Sequence, residues 1–81
     1  MDIQVVSYVA VDVSKRTLEV LESEQSKSHS IANCEEALRR LLRKFESLDN
    51  LHFICEATGG YERTLVDFLH RQGVIVSIVS P

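Results

Sequence analysis

A chain of 81 residues is one domain at most, and at this length folding buries only about 60% of the surface that the unfolded chain exposes. With 44% hydrophobic and 26% charged residues, three Gly and one Pro, the composition excludes a disordered, collagen-like or low-complexity protein. The formal charge of -3, from 12 acidic against 9 basic residues, excludes a chain that grips nucleic acid by bulk electrostatics, since that takes clustered Lys and Arg.

The first predicted element runs from about Gln4 to Val13, where VVSYVAVDV is rich in β-branched residues and nearly all apolar. Such a run predicts a strand covered on both faces. Ser14, Lys15 and Arg16 turn the chain, and TLEVLE then alternates Leu18 and Val20 against Glu19 and Glu22, completing a hairpin. A second polar turn, Ser23 to Lys27, leads to a weaker strand at His29 to Ala32, which makes an antiparallel three-strand meander. Asn33 is the predicted cap of a helix with Glu36 at its third position, and Leu38, Leu41, Leu42, Phe45 and Leu48 form its apolar face. LHFICEA is the fourth strand, ending at Glu56. Thr58, Gly59 and Gly60 turn the chain into a helix from Tyr61 to Gln72, with Gly73 at its exit, and VIVSIV is a buried final strand. The order is strand, strand, strand, helix, strand, helix, strand. The last two crossovers should be right-handed, giving an α/β domain with a mixed five-stranded sheet over residues 1–81.

Cys34 and Cys55 lack CxxC spacing and read as reduced residues in partly buried segments. There is no signal-peptide pattern and no apolar run of about 20 residues, so the expected setting is the cytoplasm with no membrane partner.

Asp12 in VAVDVSK and Glu56 in FICEATGGYE each stand where an apolar strand would otherwise continue, a place carboxylates rarely occupy without a partner. If the first and fourth strands are parallel neighbours, both acids project at one end of the sheet, where open α/β sheets place their ligands. Two such carboxylates can bind Mg²⁺ or Mn²⁺, and a pair of these ions can activate an attacking oxygen and stabilise a leaving oxygen at a phosphodiester. The pattern leaves a local reading open beside this one: Asp12 can accept backbone hydrogen bonds in the hairpin, and Glu56 can cap the following helix. Two carboxylates also fall short of a complete two-ion site.

VAVDVSKRTLEV followed by CEATGGYERTLVDFLHRQGVIVSIVSP resembles the N-terminal region of DEDD-type insertion-sequence transposases, which include Piv-type DNA invertases. The resemblance spans nearly the whole chain, although Ser23 to Leu48 matches only in pattern. It implies a ribonuclease-H-like, RuvC-like fold, truncated here, and an enzyme of DNA transposition or site-specific recombination. It implies that Asp12 and Glu56 are the first two of four metal-binding acids; the last two have no counterpart in this sequence. It further implies a longer protein with a basic DNA- or RNA-binding segment and a nucleophilic serine, so that DNA is the partner, a guide RNA is admitted and this piece alone is inactive.

Other residues carry weaker signals. Ser14, Lys15 and Arg16 can approach a phosphate beside the acids, or be ordinary solvated turn residues. The helix after Gly59 and Gly60 can hold an anion on its N–H groups, but without a GxGxxG or GK[ST] frame tight turning is the simpler reason for both glycines. The histidines lack ligand spacing, and acidic surroundings disfavour a Cys55 nucleophile. Two other function classes fit less well. An actin-like ATPase or sugar kinase also opens with an apolar strand, an Asp and a phosphate-facing hairpin, but this hairpin has no glycine. A non-catalytic module could dimerise through an exposed sheet edge, and a homo-oligomer is compatible with either class.

Overall fold

The computed structural model describes residues 6–22 and 28–80. The chain forms β1 (Ser7–Val13), β2 (Thr17–Glu22), β3 (His29–Ala32), α1 (Glu35–Leu42), β4 (Leu51–Glu56), α2 (Arg63–Arg71) and β5 (Ile75–Val79). The five strands make one mixed sheet in the order β3-β2-β1-β4-β5. β1, β2 and β3 are antiparallel neighbours, and β1, β4 and β5 run parallel. The predicted strand start at Gln4 and Val5 and the predicted turn from Ser23 to Lys27 lie outside the described residues.

Period-two alternation decides which side chains are buried. Val9, Val11 and Val13 of β1, Leu18 and Val20 of β2, and Leu51, Phe53 and Cys55 of β4 share one face and are buried. Both helices lie on that face: Leu38, Leu41 and Leu42 of α1 and Leu65, Phe68 and Leu69 of α2 join the same core cluster. Phe45 and Leu48 pack at its margin, beyond the end of α1.

Because both helices take one side, the opposite face of the sheet is open among the described residues. Tyr8, Ala10 and Asp12 of β1 are exposed, which corrects the expectation that the first strand is covered on both faces. The apolar run misled because Tyr8 and Ala10 are tolerated on an exposed face, and an alternating strand with such residues outward reads as continuously apolar. The final strand is likewise not buried. β5 is a sheet edge, with Ile75 60% and Ile78 49% exposed, and only Val74 just before it is buried.

Two further expectations are corrected at the start of α1. Cys34, not Asn33, is the N-cap residue, and no side chain caps the helix; Glu36 pairs instead with Arg40 at 3.1 Å. Cys34 is exposed, whereas Cys55 is buried as expected. Glu35 ties the helices together, accepting from Arg71 of α2 at 2.6 Å and from Arg39 at 3.2 Å. The Arg71 guanidinium beside it holds the Glu35 carboxyl below the usual carboxylate range. Arg39 and Arg71 also sit over the Phe68 ring, 5.7 and 5.8 Å from its centre, closing the outer side of the core with cation–π contacts.

The contrast between the two faces is measurable. Phe53→Ala should cost about 3–5 kcal/mol in urea unfolding, as for other buried Phe truncations. Ile75→Ala, on the exposed edge, should cost less than about 1 kcal/mol.

Candidate functional site

β1 and β4 pair in parallel register through Val11 and Cys55, and one position further along each strand stand Asp12 and Glu56. Neighbours in a parallel ladder point to the same face, and here that is the open one. Both acids are exposed and both line one open groove of about 560 Å³, with Ala10, Leu21, Ile54 and Val79 as its apolar walls. The structure therefore brings together the two acids that the sequence singled out.

The local roles that could have explained these acids belong to other residues. The hairpin turn is closed by the Ser14 amide and hydroxyl, both donating to the Thr17 carbonyl at 3.0 Å, with the Ser14 and Thr17 hydroxyls 2.8 Å apart. The loop before α2 is organised by Glu62. Among the described residues, the Asp12 and Glu56 carboxylates have no hydrogen-bond or ion-pair partner.

A third carboxylate, Glu19, lines the same groove and stands directly opposite Asp12 across β1 and β2. It differs from the other two in accepting a hydrogen bond from the Ser30 hydroxyl of β3. The strict alternation of β2 could have placed Glu19 on this face from sequence, but nothing local indicated that Asp12 would face it. No group of three or more His, Cys, Asp or Glu residues forms a cation cluster among the described residues. The acid pair thus offers hard oxygen donors of the kind Mg²⁺ and Mn²⁺ take, in fewer than the usual number.

Lys15 and Arg16 are exposed at the tip of the hairpin, three and four residues beyond Asp12, and form no ion pair among the described residues. The Ser14 hydroxyl is engaged within the turn, so it is held locally. At the other end of the open face His52 Nε2 lies 2.7 Å from Ser77 Oγ, and the Tyr8 ring is 5.4 Å from that of His52. This pair has no carboxylate partner on the imidazole among the described residues. Cys55 faces the core, away from Glu56, and burial pushes its thiol up, with the Glu62 charge adding to the shift.

The Thr58–Gly60 turn does hold an anion, and the anion is the protein's own. One oxygen of Glu62 accepts from the Thr58 amide at 2.8 Å, the Thr58 hydroxyl at 2.5 Å and the Gly60 amide at 3.2 Å. Gly59 and Gly60 have φ of 80° and 126°, values that side chains disfavour, and this geometry turns the Thr58 and Gly60 amides toward the Glu62 carboxylate. The Thr58 hydroxyl and amide are the main cause that holds the Glu62 carboxyl down at about 2. Sequence reading missed Glu62. The signal was present, since an acid two residues after a Gly-Gly pair can fold back onto its N–H groups.

Asn33 was also missed in its real role. Its side-chain amide donates to the Ser14 carbonyl at 2.9 Å and to the Tyr61 carbonyl at 3.0 Å, and its backbone N–H donates to Arg16 at 2.9 Å. The side-chain partners lie 19 and 28 residues away, beyond the reach of any local pattern.

An α/β domain with a mixed sheet and acids at adjacent parallel strand ends is the class that fold and site define. Within it, residues 9–81 match the IS110-type DEDD family, described as transposase, and the chain belongs to that family. No match is found among curated proteins. Among solved structures, the type II variant of the Aquifex aeolicus Ppx/GppA phosphatase is similar, with 11% identity and a TM-score of 0.45 over 95% of this chain and 36% of that one. The chain therefore spans 36% of that protein's length, and a likeness of this strength carries no argument about function. No helix among the described residues is long and apolar enough to cross a membrane.

Glu62 generates a pH prediction. Its carboxyl is depressed from 4.5 to about 2 in the folded chain, so its stabilising effect is fully present above about pH 4.5 and fades as pH falls toward 2. Glu62→Ala should flatten the pH dependence of unfolding in that window and speed hydrogen exchange at the Thr58 and Gly60 amides near neutral pH. Unchanged exchange at those amides would contradict the role given to Glu62.

Proposed function

We propose that this chain carries the first half of the metal site of a DNA transposase with a ribonuclease-H-like core, and that Asp12 and Glu56 are its first two metal ligands. The supporting observation is the acid pair itself. Two carboxylates stand side by side at the ends of parallel strands, face a common groove and have no protein partner among the described residues. Carboxylates kept together without a cation between them repel, and a divalent ion is the partner their chemistry fits. When bound, Mg²⁺ or Mn²⁺ would supply Lewis-acid activation of the attacking and leaving oxygens of a phosphodiester.

The residues of this chain would hold and orient. Asp12 and Glu56 would present oxygens from two rigid strands, and the hairpin tip with Lys15 and Arg16 would approach a DNA phosphate next to them. Further ligands and the bulk of the positive surface for DNA would come from the remainder of a longer protein, since the chain carries -3 overall. Any guide RNA, and assembly into a homo-oligomer, would belong to that longer protein as well.

A nucleotide-binding reading of the actin-like kind has less support. The hairpin between β1 and β2 contains no glycine, and the Thr58 and Gly60 amides already hold the Glu62 carboxylate.

The test is a Mn²⁺ titration of the chain followed by NMR. Asp12 and Glu56 should broaden together at Mn²⁺ levels that leave Glu22 and Asp67 unaffected, and Asp12→Asn should remove the effect at both. Broadening of all four acids alike would overturn the reading. In the complete transposase, Asp12→Asn and Glu56→Gln should each lower strand cleavage by about 100-fold or more, matching several kcal/mol of transition-state stabilisation.

A further inference from the structure

Every direct hydrogen bond between the hairpin that follows Asp12 and the loop that follows Glu56 is absent among the described residues, yet one side chain touches both. Asn33, at the end of β3, uses one nitrogen to hold the Ser14 carbonyl and the Tyr61 carbonyl. Its backbone N–H holds Arg16 from the same hairpin. We propose that Asn33 is a positioning residue for the acid pair, fixing the turn after Asp12 and the loop after Glu56 at one separation. The proposal rests on the reading of Asp12 and Glu56 as metal ligands.

Three physical points carry it. A primary amide has two N–H hydrogens that diverge in its plane, so one nitrogen can satisfy two carbonyls, which neither a carboxylate nor a hydroxyl can do. The orientation of the amide follows from its partners, because turning it over would set its oxygen against two other oxygens. The Asn33 oxygen is buried without a partner among the described residues, a cost that an apolar side chain would avoid. The amide is therefore held in this place by what its nitrogen does.

The two segments it joins are themselves stiff. The hairpin is closed by Ser14 and Thr17, and Glu62 gathers the Thr58 and Gly60 amides just before Tyr61. Asp12 and Glu56 lead into these segments at the ends of β1 and β4. Asn33 links two stiff loops, so a shift at Asn33 alters the angle between the strand ends instead of being absorbed by a soft turn. Its effect on a shared ligand site is thus indirect, carried through the two loops and not through a bond to either acid.

The experiment uses the chain with two substitutions. Asn33→Asp keeps the size and the backbone N–H bond to Arg16 but replaces both donors by an acceptor facing two carbonyls; Asn33→Ala removes the side chain. In the unmodified chain the Asn33 side-chain amide hydrogens should exchange slowly, and rapid exchange would overturn the proposal without any variant. In both variants the amide signals of Lys15, Arg16, Gly60 and Glu62 should shift while those of Leu18, Phe53 and Leu65 stay in place. The Mn²⁺ concentration giving joint broadening of Asp12 and Glu56 should rise in both variants. Joint broadening in the unmodified chain that survives unchanged in Asn33→Asp and Asn33→Ala overturns the positioning role alone. No joint broadening in the unmodified chain overturns the metal reading, and the positioning role with it.

Discussion

The parallel pairing of β1 with β4 is the constraint on which the rest of the structure depends. It sets Val11 beside Cys55, and the two-residue period of a strand then does everything else: valines, Phe53 and Cys55 turn to the helices, while Asp12 and Glu56 turn to the open face at adjacent positions. A slip of one residue would bury a carboxylate among leucines. The core thus guards the geometry of the acid pair, because any register that separated the acids would also break the packing of Val9, Val11 and Phe53 against Leu38, Leu65 and Phe68.

The loops at that end of the sheet are built with the same economy. Ser14 and Thr17 close the hairpin on themselves, and Glu62 closes the glycine turn on itself, so each segment is internally satisfied before Asn33 joins them. A polar residue that neutralises its own loop leaves the neighbouring acid without a competing partner. Had Glu56 capped α2 or Asp12 closed the hairpin, the groove would have lost its donors.

Much of this was legible in the sequence. The seven elements, their type and the placing of Asp12 and Glu56 at strand ends follow from β-branched runs, helical leucine spacing and glycine turns, and the family resemblance on DVSK and EATGGYE agrees with the transposase family that residues 9–81 match. What was not legible depends on the third dimension. Nothing in SYVAVDV or VIVSIV says which face receives a helix, so β1 appeared doubly covered and β5 appeared buried. Asn33 has the right type and position for a cap by local rules, but long-range carbonyls outcompete the helix start for its amide. Glu19 was visible as an outward residue of β2, and only the antiparallel register with β1 made it the neighbour of Asp12.

That register has a further consequence. Glu19, Asp12 and Glu56 stand on three successive strands along one rim of the groove, so the folded chain holds like charges side by side that the unfolded chain would let drift apart. Cross-strand like-charge neighbours weaken a sheet. The folded domain carries these like charges together on its exposed rim, and replacing Asp12 by Asn would remove the Asp12–Glu19 like-charge neighbour.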